Sequence, residues 1–489
     1  MQAMVENVEA LFEDMELSPA FKEINENNPV MTQRFGADPY ALVYDGRVYL
    51  YMTGDDPMYS PDGKLLENTY GNINTINVIS SDDLVNWTDH GSIYAASDKG
   101  AATWGPNSWA PAAAYKNIEG EDKFFLYFAN NGNGIGVLSS DSPVGPFTDP
   151  IGEPLVSRAT PNCADVTWLF DPAVLMDDDG SAYLYVGGGV PSPDKADNPG
   201  TARVVKLGDD MVSLDGDPQP INNVAYLFED SGINKMGDKY YYSYCSNFSM
   251  TPEAEKLLGY NQGEIVTMVS DSPMGPFEPY KPVLKNPQYF FGKGGNNHHC
   301  MFEFEGQWYI AYHSRILETA MNMDAGYRST NIDVLAINDE NGPDKTKGTR
   351  EGVKQLKTVD PYKENKAVTM ANSSGLTTVQ YGESAEKYGS GEMIVSDVKT
   401  GSWMSVKGVD FGDKAPKKIV ISARGQGGGV VKVSLGSPKG EVLAYVDIDR
   451  PGSEFKDICR ELGSIPEGEQ DLYFTFAGEK YELESWRFE

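Results

Sequence analysis

Cysteine and histidine are scarce in this chain, which has four of each among its 489 residues. The cysteines stand far apart and show no paired spacing, so the sequence predicts neither a disulfide framework nor a zinc site. We expect all four to be reduced thiols: Cys163, Cys245, Cys300 and Cys459. The chemistry of the protein should therefore depend on other side chains.

Positive charge is also scarce, because 40 Lys and Arg residues stand against 72 Asp and Glu residues, for a formal net charge of -32. Such a surface repels phosphate backbones and anionic lipid headgroups. No apolar run approaches the roughly 18 residues that a membrane-spanning helix needs. We therefore expect no nucleic-acid partner and no membrane association, and a neutral ligand fits this charge better. Nothing in the sequence indicates an oligomeric state.

The first 25 residues contain several acids and no positive charge before Lys22. This pattern is the opposite of a secretory leader, so a cytoplasmic protein is expected, or an extracellular one if a leader was removed. Val8, Leu11, Phe12 and Met15 fall at helical spacing, which predicts one amphipathic helix over residues 3–16.

From residue 38 onward the sequence is rich in short alternating strands separated by Gly, Asn, Asp and Pro turns. One hairpin pattern recurs five times, at residues 38–51, 109–130, 171–188, 229–246 and 298–314. Related segments between these copies, at 139–150 and 270–280, indicate about four strands in each repeat. The repeats predict an all-β fold, a five-bladed β-propeller.

In a propeller the innermost strand of each blade lies beside the central axis, so equivalent residues of the repeats approach one another. The residues at the key position of the five copies are Asp38, Pro111, Asp171, Glu229 and His298. Three carboxyl groups in a partly dry cleft raise one another's pKa, and function is the usual reason to keep them there. One protonated and one ionised carboxyl group are what glycoside hydrolysis requires.

The blade segments resemble those of glycoside hydrolase family 43, the five-bladed propellers that cut arabinofuranosyl and xylosyl bonds. The segments that carry the resemblance are 37–51, 167–180, 227–244 and 296–315, and the likeness extends over residues 30–345. It implies that Asp38 is the general base, Glu229 the general acid, and Asp171 the residue that modulates the pKa and orientation of the acid. It also implies inversion of configuration at the sugar, which needs a water between base and sugar.

Two acidic positions near these residues receive a structural interpretation. Asp230 is taken as an ordinary loop acid, because only Glu229 directly follows the apolar run 226–228. The acidic run 177–179 is interpreted as a solvated hairpin turn rather than a calcium loop, because it lacks alternating oxygen ligands and a distal Glu.

The family holds a metal ion or water at the propeller axis through the His of an H-x-S pattern, which reads His298-His299-Cys300 here. The resemblance therefore implies His298 as a ligand of one Ca²⁺ or another cation, with waters completing the shell. A buried His bonded to backbone is the alternative. No organic cofactor is expected.

Four further residues are candidates for sugar binding. Arg328 resembles a late-blade Arg of the family that reaches the floor of the active site, where it could steady an acid or bond a sugar hydroxyl; a surface Arg is the alternative. Trp104, Trp109 and Trp168 stand at or just before blade starts, where aromatic faces can stack on sugar rings. Core packing is the alternative for each Trp.

Changes in composition along the chain indicate the domain boundaries. Residues 1–29 are expected to form a helical segment packed on the propeller, residues 30–345 the catalytic propeller, and the Lys-rich residues 346–366 a linker. Residues 367–489 show alternating strands typical of a β-sandwich of jelly-roll type and resemble a family 6 carbohydrate-binding module. The acidic opening motif of that family is replaced by residues 369–372. The domain could therefore either bind sugar or serve only as a structural support for the propeller.

Taken together, these features predict an inverting glycosidase that removes α-L-arabinofuranosyl side groups from arabinoxylan or its oligosaccharides, a neutral pentose-containing substrate. The choice of substrate rests on resemblance to the arabinoxylan-debranching members of the family. A β-xylosidase is the first alternative, and the loops at 54–70 and 98–108 would decide between the two. A non-catalytic sugar-binding propeller is the second, but it would lack one of the three carboxylates.

Overall fold

Five small β-sheets and one large one account for most of the molecule. The computed structural model describes residues 2–382, 392–449 and 452–489. The first two blades are β1 (Ala37–Tyr44), β2 (Arg47–Thr53), β3 (Thr75–Ser81) and β4 (Trp87–Tyr94), then β5 (Trp109–Ile118), β6 (Glu121–Ala129), β7 (Gly134–Ser140) and β8 (Val156–Ser157).

The remaining blades follow the same antiparallel order. Blade three is β9 (Ala173–Met176), β10 (Ala182–Val186), β11 (Arg203–Lys206) and β12 (Gln219–Pro220). Blade four is β13 (Leu227–Met236), β14 (Lys239–Ser246), β15 (Ile265–Ser270) and β16 (Glu278–Leu284). Blade five is β17 (His299–Phe304), β18 (Gln307–Ser314) and β19 (Ser329–Val334). The five-bladed β-propeller expected from the repeats is confirmed.

Each blade starts with a hairpin whose turn chemistry is visible in the sequence. In the first blade Tyr44 pairs with Arg47, so only Asp45 and Gly46 form the turn. Both turn residues have positive φ, at 49° and 68°. Two consecutive positive φ values define the type I′ turn, whose twist matches that of the flanking strands.

The blades pack on one another because neighbouring residues of a strand face opposite sides. Leu50 of β2 lies in a cluster with Phe302 of blade five. Tyr51, the next residue, lies in a cluster with Leu126 of blade two. The same arrangement between the other blades completes a ring of five interblade cores.

The fifth blade has three strands, and a segment from the N-terminal part of the chain completes it. Residues 28–36 lie alongside β19, where the Val30 amide donates to the Thr330 carbonyl at 2.9 Å and the Gly36 amide donates to the Arg328 carbonyl at 3.1 Å. The two ends of the propeller sequence are thus joined by hydrogen bonds, which closes the ring.

The C-terminal strands curl into one large antiparallel sheet, as expected for a β-sandwich of the carbohydrate-binding-module type. Its nine strands are β20 (Asn365–Lys366), β22 (Asn372–Ser374), β23 (Thr377–Tyr381), β24 (Glu392–Ser396), β25 (Trp403–Asp410), β26 (Lys418–Leu435), β27 (Val442–Asp449), β28 (Gly452–Glu461) and β29 (Glu469–Phe488), and the short strand β21 (Thr369–Met370) lies outside it. β20 pairs with β29, whereas β21 pairs with β4 of blade one. The predicted boundary at residue 367 therefore lies between β20, which belongs to the C-terminal sheet, and β21, which extends the sheet of blade one.

The helices are short: α1 (Gln2–Glu13), α2 (Pro252–Leu258), α3 (Gln288–Phe291), α4 (Ile316–Ala320) and a 3₁₀ turn (Pro193–Lys195). In the described part of the chain, none of them has the length and apolar character needed to cross a membrane. All four cysteines are free thiols.

The expected packing of the N-terminal helix on the propeller is wrong. α1 ends at Glu13; its Phe12 and the following Met15 lie in a cluster with Ala477 of the C-terminal domain. The Phe12 ring also lies 5.5 Å from the ring of Tyr445. Spacing along the chain identifies the apolar face of a helix but does not specify which surface covers it.

Candidate active site

A small pocket lies near the starts of β1, β5 and β9 and unites most of the predicted site residues. Its lining residues are Asp38, Thr53, Tyr70, Ile73, Trp109, Ala110, Asp171, Asn296, His298 and Arg328. Glu229 is buried nearby, where its Oε1 accepts a hydrogen bond from the Asn297 amide at 3.2 Å. The three predicted catalytic carboxyl groups therefore belong to one neighbourhood, contributed by three blades.

The backbone has the same unusual conformation where four of the blades begin. Asp38, Ala110, Asp171 and Asp230 have φ values of 48°, 40°, 49° and 71°. The strand register shifts at these positions in blades one, two and four, as at a β-bulge. A bulge redirects a side chain out of the regular alternation, and non-glycine residues adopt positive φ mainly where the surrounding structure requires it. The local strain thus directs these residues toward the axis.

Asp38 is held as an ionised carboxylate. Its Oδ1 lies 3.0 Å from Arg328 Nη1 and 3.0 Å from His313 Nδ1, and its Oδ2 accepts from Thr53 Oγ1 at 2.7 Å. Burial alone would raise the pKa of Asp38, but the positive charge of Arg328 and the contact with His313 outweigh it, so this pKa lies well below its usual range. Asp38 is therefore held in its ionised form, which has lone pairs free to accept a proton.

Glu229 and Asp171 have the opposite character. Burial raises the pKa of Glu229 well above its usual range, and the negative charges of Asp171 and Asp38 raise it further. Burial likewise raises the pKa of Asp171, with the charge of Asp38 as the next cause. Glu229 is therefore suited to hold a proton and donate it, while Asp38 is not.

Asp230 is not the ordinary loop acid expected from the sequence. It is fully buried, its amide donates to Asp171 Oδ2 at 2.9 Å, and its Oδ2 lies 2.5 Å from His299 Nδ1. Its Oδ1 lies 3.2 Å from His298 Nε2. His299 Nε2 in turn lies 2.9 Å from Ser243 Oγ. Asp230 thus connects the blades that carry Asp171, Glu229 and His298.

We expect Asp230→Asn to lower the free energy of unfolding by about 1–3 kcal/mol, because an amide cannot accept hydrogen bonds with both of its side-chain atoms in this buried site. Urea denaturation of the variant and the wild type measures the difference. Asp238→Asn, which changes an exposed acid in the turn of the same blade, is the control. Equal stability of the two variants would contradict this account of Asp230.

His298, the predicted cation ligand, lies among three carboxyl groups. Its Nε2 faces Asp230, and its Nδ1 lies 3.8 Å from Asp38 Oδ1 and 3.7 Å from Asp171 Oδ2. Within the described ranges, no three His, Cys, Asp or Glu side chains form a group that could hold a metal ion. The calcium ion stays a prediction, and no chemical step is derived through it.

The candidate sugar-binding residues fall into three groups. Trp109 and Arg328 line the pocket, and Tyr70 lies between them: Trp109 Nε1 donates to the Tyr70 carbonyl at 3.1 Å, and the Tyr70 ring lies 4.7 Å from Arg328 Cζ. Trp104 lies elsewhere, because its Nε1 donates to Asp149 and its ring stacks on a core phenylalanine. The predicted contact of Trp104 with sugar therefore finds no support.

Trp168 belongs to a row of aromatic rings next to Glu229. Its ring lies 5.1 Å from that of Phe228, which lies 5.2 Å from that of Phe248. Phe228 directly precedes Glu229 in the chain, and Phe248 is 42% exposed. The rings meet edge to face, and the row reaches the surface at Phe248.

Sequence reasoning missed several groups of this site. His313 stands in the last hairpin copy, and Thr53 ends β2, two residues beyond the first copy. Tyr70 stands in an irregular loop and carries no pattern that would have identified it. The role of Tyr70 follows only from the folded structure, in which its ring lies against the guanidinium group of Arg328.

Comparisons with known proteins agree with this geometry. The family model "Glycosyl hydrolases family 43" matches residues 26–343, and "Carbohydrate binding module (family 6)" matches residues 366–489. The arabinoxylan arabinofuranohydrolase of Paenibacillus polymyxa is 43% identical over 488 residues, which cover 96% of this chain and 75% of that relative. That of Bacillus subtilis (strain 168) is 42% identical over 486 residues, which cover 96% and 93%.

A solved structure is similar over the same length. The crystal structure of a glycoside hydrolase family 43 arabinoxylan arabinofuranohydrolase from Bacillus subtilis, in complex with cellotetraose, matches with a TM-score of 0.90 at 40% identity. The match covers 96% of this chain and 99% of that one, so it includes both domains. The chain belongs to glycosyl hydrolase family 43.

Proposed function

We propose that this protein is an inverting glycoside hydrolase that removes α-L-arabinofuranosyl side groups from arabinoxylan or its oligosaccharides. The observation that carries the proposal is the opposite surroundings of two buried carboxyl groups: Arg328 and His313 contact Asp38 and lower its pKa, whereas burial and neighbouring negative charge raise the pKa of Glu229. An ionised base and a protonated acid in one pocket are the requirements of glycoside hydrolysis. Arabinoxylan is a neutral polymer, so the net charge of -32 does not oppose its approach.

In the proposed reaction a water molecule attacks the anomeric carbon while Asp38 takes one of its protons. The bond from that carbon to the glycosidic oxygen breaks, and Glu229 donates its proton to the leaving oxygen. Asp38 ends the turnover protonated and Glu229 ionised, and both return to their starting states by exchange with solvent. Because the water attacks from the face opposite the leaving group, the configuration inverts.

Asp171 acts on the acid rather than on the sugar in this scheme. Besides burial, the negative charge of Asp171 raises the pKa of Glu229. The amide of Asp230, which donates to Asp171 Oδ2, fixes its orientation. Glu229 therefore keeps its proton at pH values at which an isolated Glu would have lost it.

The substrate assignment is supported by similarity over the full length of both domains to two proteins named arabinoxylan arabinofuranohydrolase. The aromatic row of Trp168, Phe228 and Phe248 offers a surface for the xylan chain beside the acid. The arabinofuranosyl group would then occupy the pocket between Trp109 and Arg328.

Hydrolysis of matched substrates tests the proposal. We expect release of arabinose from wheat arabinoxylan and from 4-nitrophenyl α-L-arabinofuranoside, with at least about tenfold lower kcat/KM on 4-nitrophenyl β-D-xyloside. Proton NMR of the first turnovers should show the β-anomer of arabinofuranose before mutarotation. A faster reaction on the xyloside would make the protein a β-xylosidase, and an α-anomer as first product would exclude inversion.

A further inference from the structure

Two adjacent acids after β2, Asp55 and Asp56, have different environments. The Asp56 side chain is 45% exposed and lies 3.5 Å from Arg34. The Asp55 side chain has no exposed surface. Nothing in the sequence separates the two, and none of the chemistry described above uses Asp55. A fully buried carboxylate beside a catalytic pocket normally has a specific partner.

The partner of Asp55 is Arg328. The Nε of Arg328 donates to Asp55 Oδ2 at 3.1 Å, and its Nη2 donates to Asp55 Oδ1 at 3.0 Å. The Arg328 backbone amide also donates to Oδ2, at 2.7 Å. This two-pronged contact uses one edge of the guanidinium group and leaves Nη1 to donate to Asp38 Oδ1 at 3.0 Å.

The loop that begins with Asp55 also restrains the plane of the guanidinium group. Asn68 Nδ2 donates to Asp55 Oδ1 at 2.8 Å, and Asn68 Oδ1 accepts from the Tyr70 amide at 3.2 Å. The Tyr70 ring faces the guanidinium group, with its centre 4.7 Å from Arg328 Cζ. One loop therefore holds both the edge and the face of the Arg328 side chain.

Because Arg328 pairs with both Asp55 and Asp38, its contact with the general base Asp38 is limited. A guanidinium group with a single carboxylate partner binds both of its oxygens, because the fork of N–H donors matches the carboxylate. Asp55 occupies that fork, so Arg328 reaches only one oxygen of Asp38 through one N–H. The other oxygen, which accepts from Thr53, keeps its remaining lone pair for the attacking water.

We propose that Asp55 is a positioning residue for the general base: it holds Arg328 edge-on, so that the guanidinium group orients Asp38 without covering it. This role rests on the proposed function, in which Asp38 accepts a proton from water. Asp55 itself lies behind Arg328 and does not touch the sugar.

The variant Asp55→Asn tests the role, because an amide cannot accept from Arg328 with both of its side-chain atoms. We expect kcat on 4-nitrophenyl α-L-arabinofuranoside to fall about 10- to 100-fold per folded enzyme, with KM within about threefold of wild type. Asp56→Asn, the neighbouring and exposed acid, should retain wild-type kinetics. Circular dichroism and the thermal unfolding midpoint establish the folded fraction of each variant.

A double-mutant cycle with Arg328→Met shows whether Asp55 acts through Arg328. In that background Asp55→Asn should change kcat less than about threefold, because there is no guanidinium group left to orient. Should Asp55→Asn fail to fold, Asn68→Ala removes one restraint on Asp55 and should lower kcat about 3- to 10-fold, again only while Arg328 is present.

The outcomes separate this inference from the function on which it rests. An inactive wild-type enzyme would overturn the proposed function. An active wild type with unchanged kcat in Asp55→Asn would overturn the positioning role alone. So would losses from Asp55→Asn that are equally large with and without Arg328.

Discussion

Replacement of Glu229 by Gln should lower kcat on arabinoxylan about 10³-fold, while the loss on 4-nitrophenyl α-L-arabinofuranoside should be at least tenfold smaller. The difference arises because 4-nitrophenolate leaves without help from an acid, whereas a sugar hydroxyl must receive a proton as its bond breaks. Glu229 is the group expected to hold that proton, since burial raises its pKa well above the usual range.

The pH dependence of the same variant gives an independent measurement. In the wild type, kcat/KM on arabinoxylan should fall at high pH as Glu229 ionises, and the raised pKa of Glu229 places this fall above the usual range of a Glu. Glu229→Gln has no such proton to lose, so the high-pH limb should disappear. Glu278→Gln, an exposed Glu of the same blade, is the matched control.

Equal losses on the two substrates, or a retained high-pH limb in Glu229→Gln, would mean that another group donates the proton. Asp171 would then be the first candidate, because burial raises its pKa as well. Parallel measurement of Asp171→Asn distinguishes the two carboxyl groups. Under the present assignment Asp171→Asn should lower kcat on both substrates and leave the ratio of the two kcat values near that of the wild type.

The five-bladed fold was predictable because its information is local and repeated. A hairpin such as residues 38–51 shows its own strands and its turn, and five copies determine the architecture. Convergence on the axis then follows from geometry, which brought Asp38 and Asp171 to one pocket. These steps required no knowledge of which distant residues touch.

Asp230 shows where the comparison of copies was misaligned by one residue. The copies align on the residue with positive φ, which is Asp38, Ala110 or Asp171 before a Pro and Asp230 before Ser231, so the key residue of the second copy is Ala110 rather than Pro111. Glu229 stands one position earlier, where the register of β13 shifts. Without the Pro, the sequence offers no marker of that shift, so Asp230 was interpreted as a loop acid although it is fully buried.

Contacts between distant segments could not be predicted from the sequence for a different reason. Asp55 and Arg328 stand in loops of blades one and five, and neither loop has a periodic pattern. The partner of α1 and the packing of Trp104 against Phe128 likewise depend on how completed elements pack. Periodicity reports which face of an element is apolar, whereas the partner of that face is a property of the whole fold.

Replacement of Asp38 by Asn should lower kcat about 10³-fold on arabinoxylan and on 4-nitrophenyl α-L-arabinofuranoside alike. Both substrates need the same activated water, so the quality of the leaving group does not compensate for a missing base. The amide still fits beside Thr53 and His313, but it cannot take a proton from water. Asp45→Asn, in the turn of the same hairpin, keeps a residue that tolerates positive φ and should retain full activity.

The ratio of the two losses is the decisive quantity, because it separates a base from an acid. For Asp38→Asn the ratio of kcat on the two substrates should equal that of the wild type, whereas Glu229→Gln shifts it toward the nitrophenyl glycoside. A small anion such as azide can replace the attacking water without needing a base. Added azide should therefore restore turnover of the nitrophenyl glycoside in Asp38→Asn and give a glycosyl azide of inverted configuration. Failure of azide to accelerate this variant, together with a shifted ratio, would assign the base to another residue.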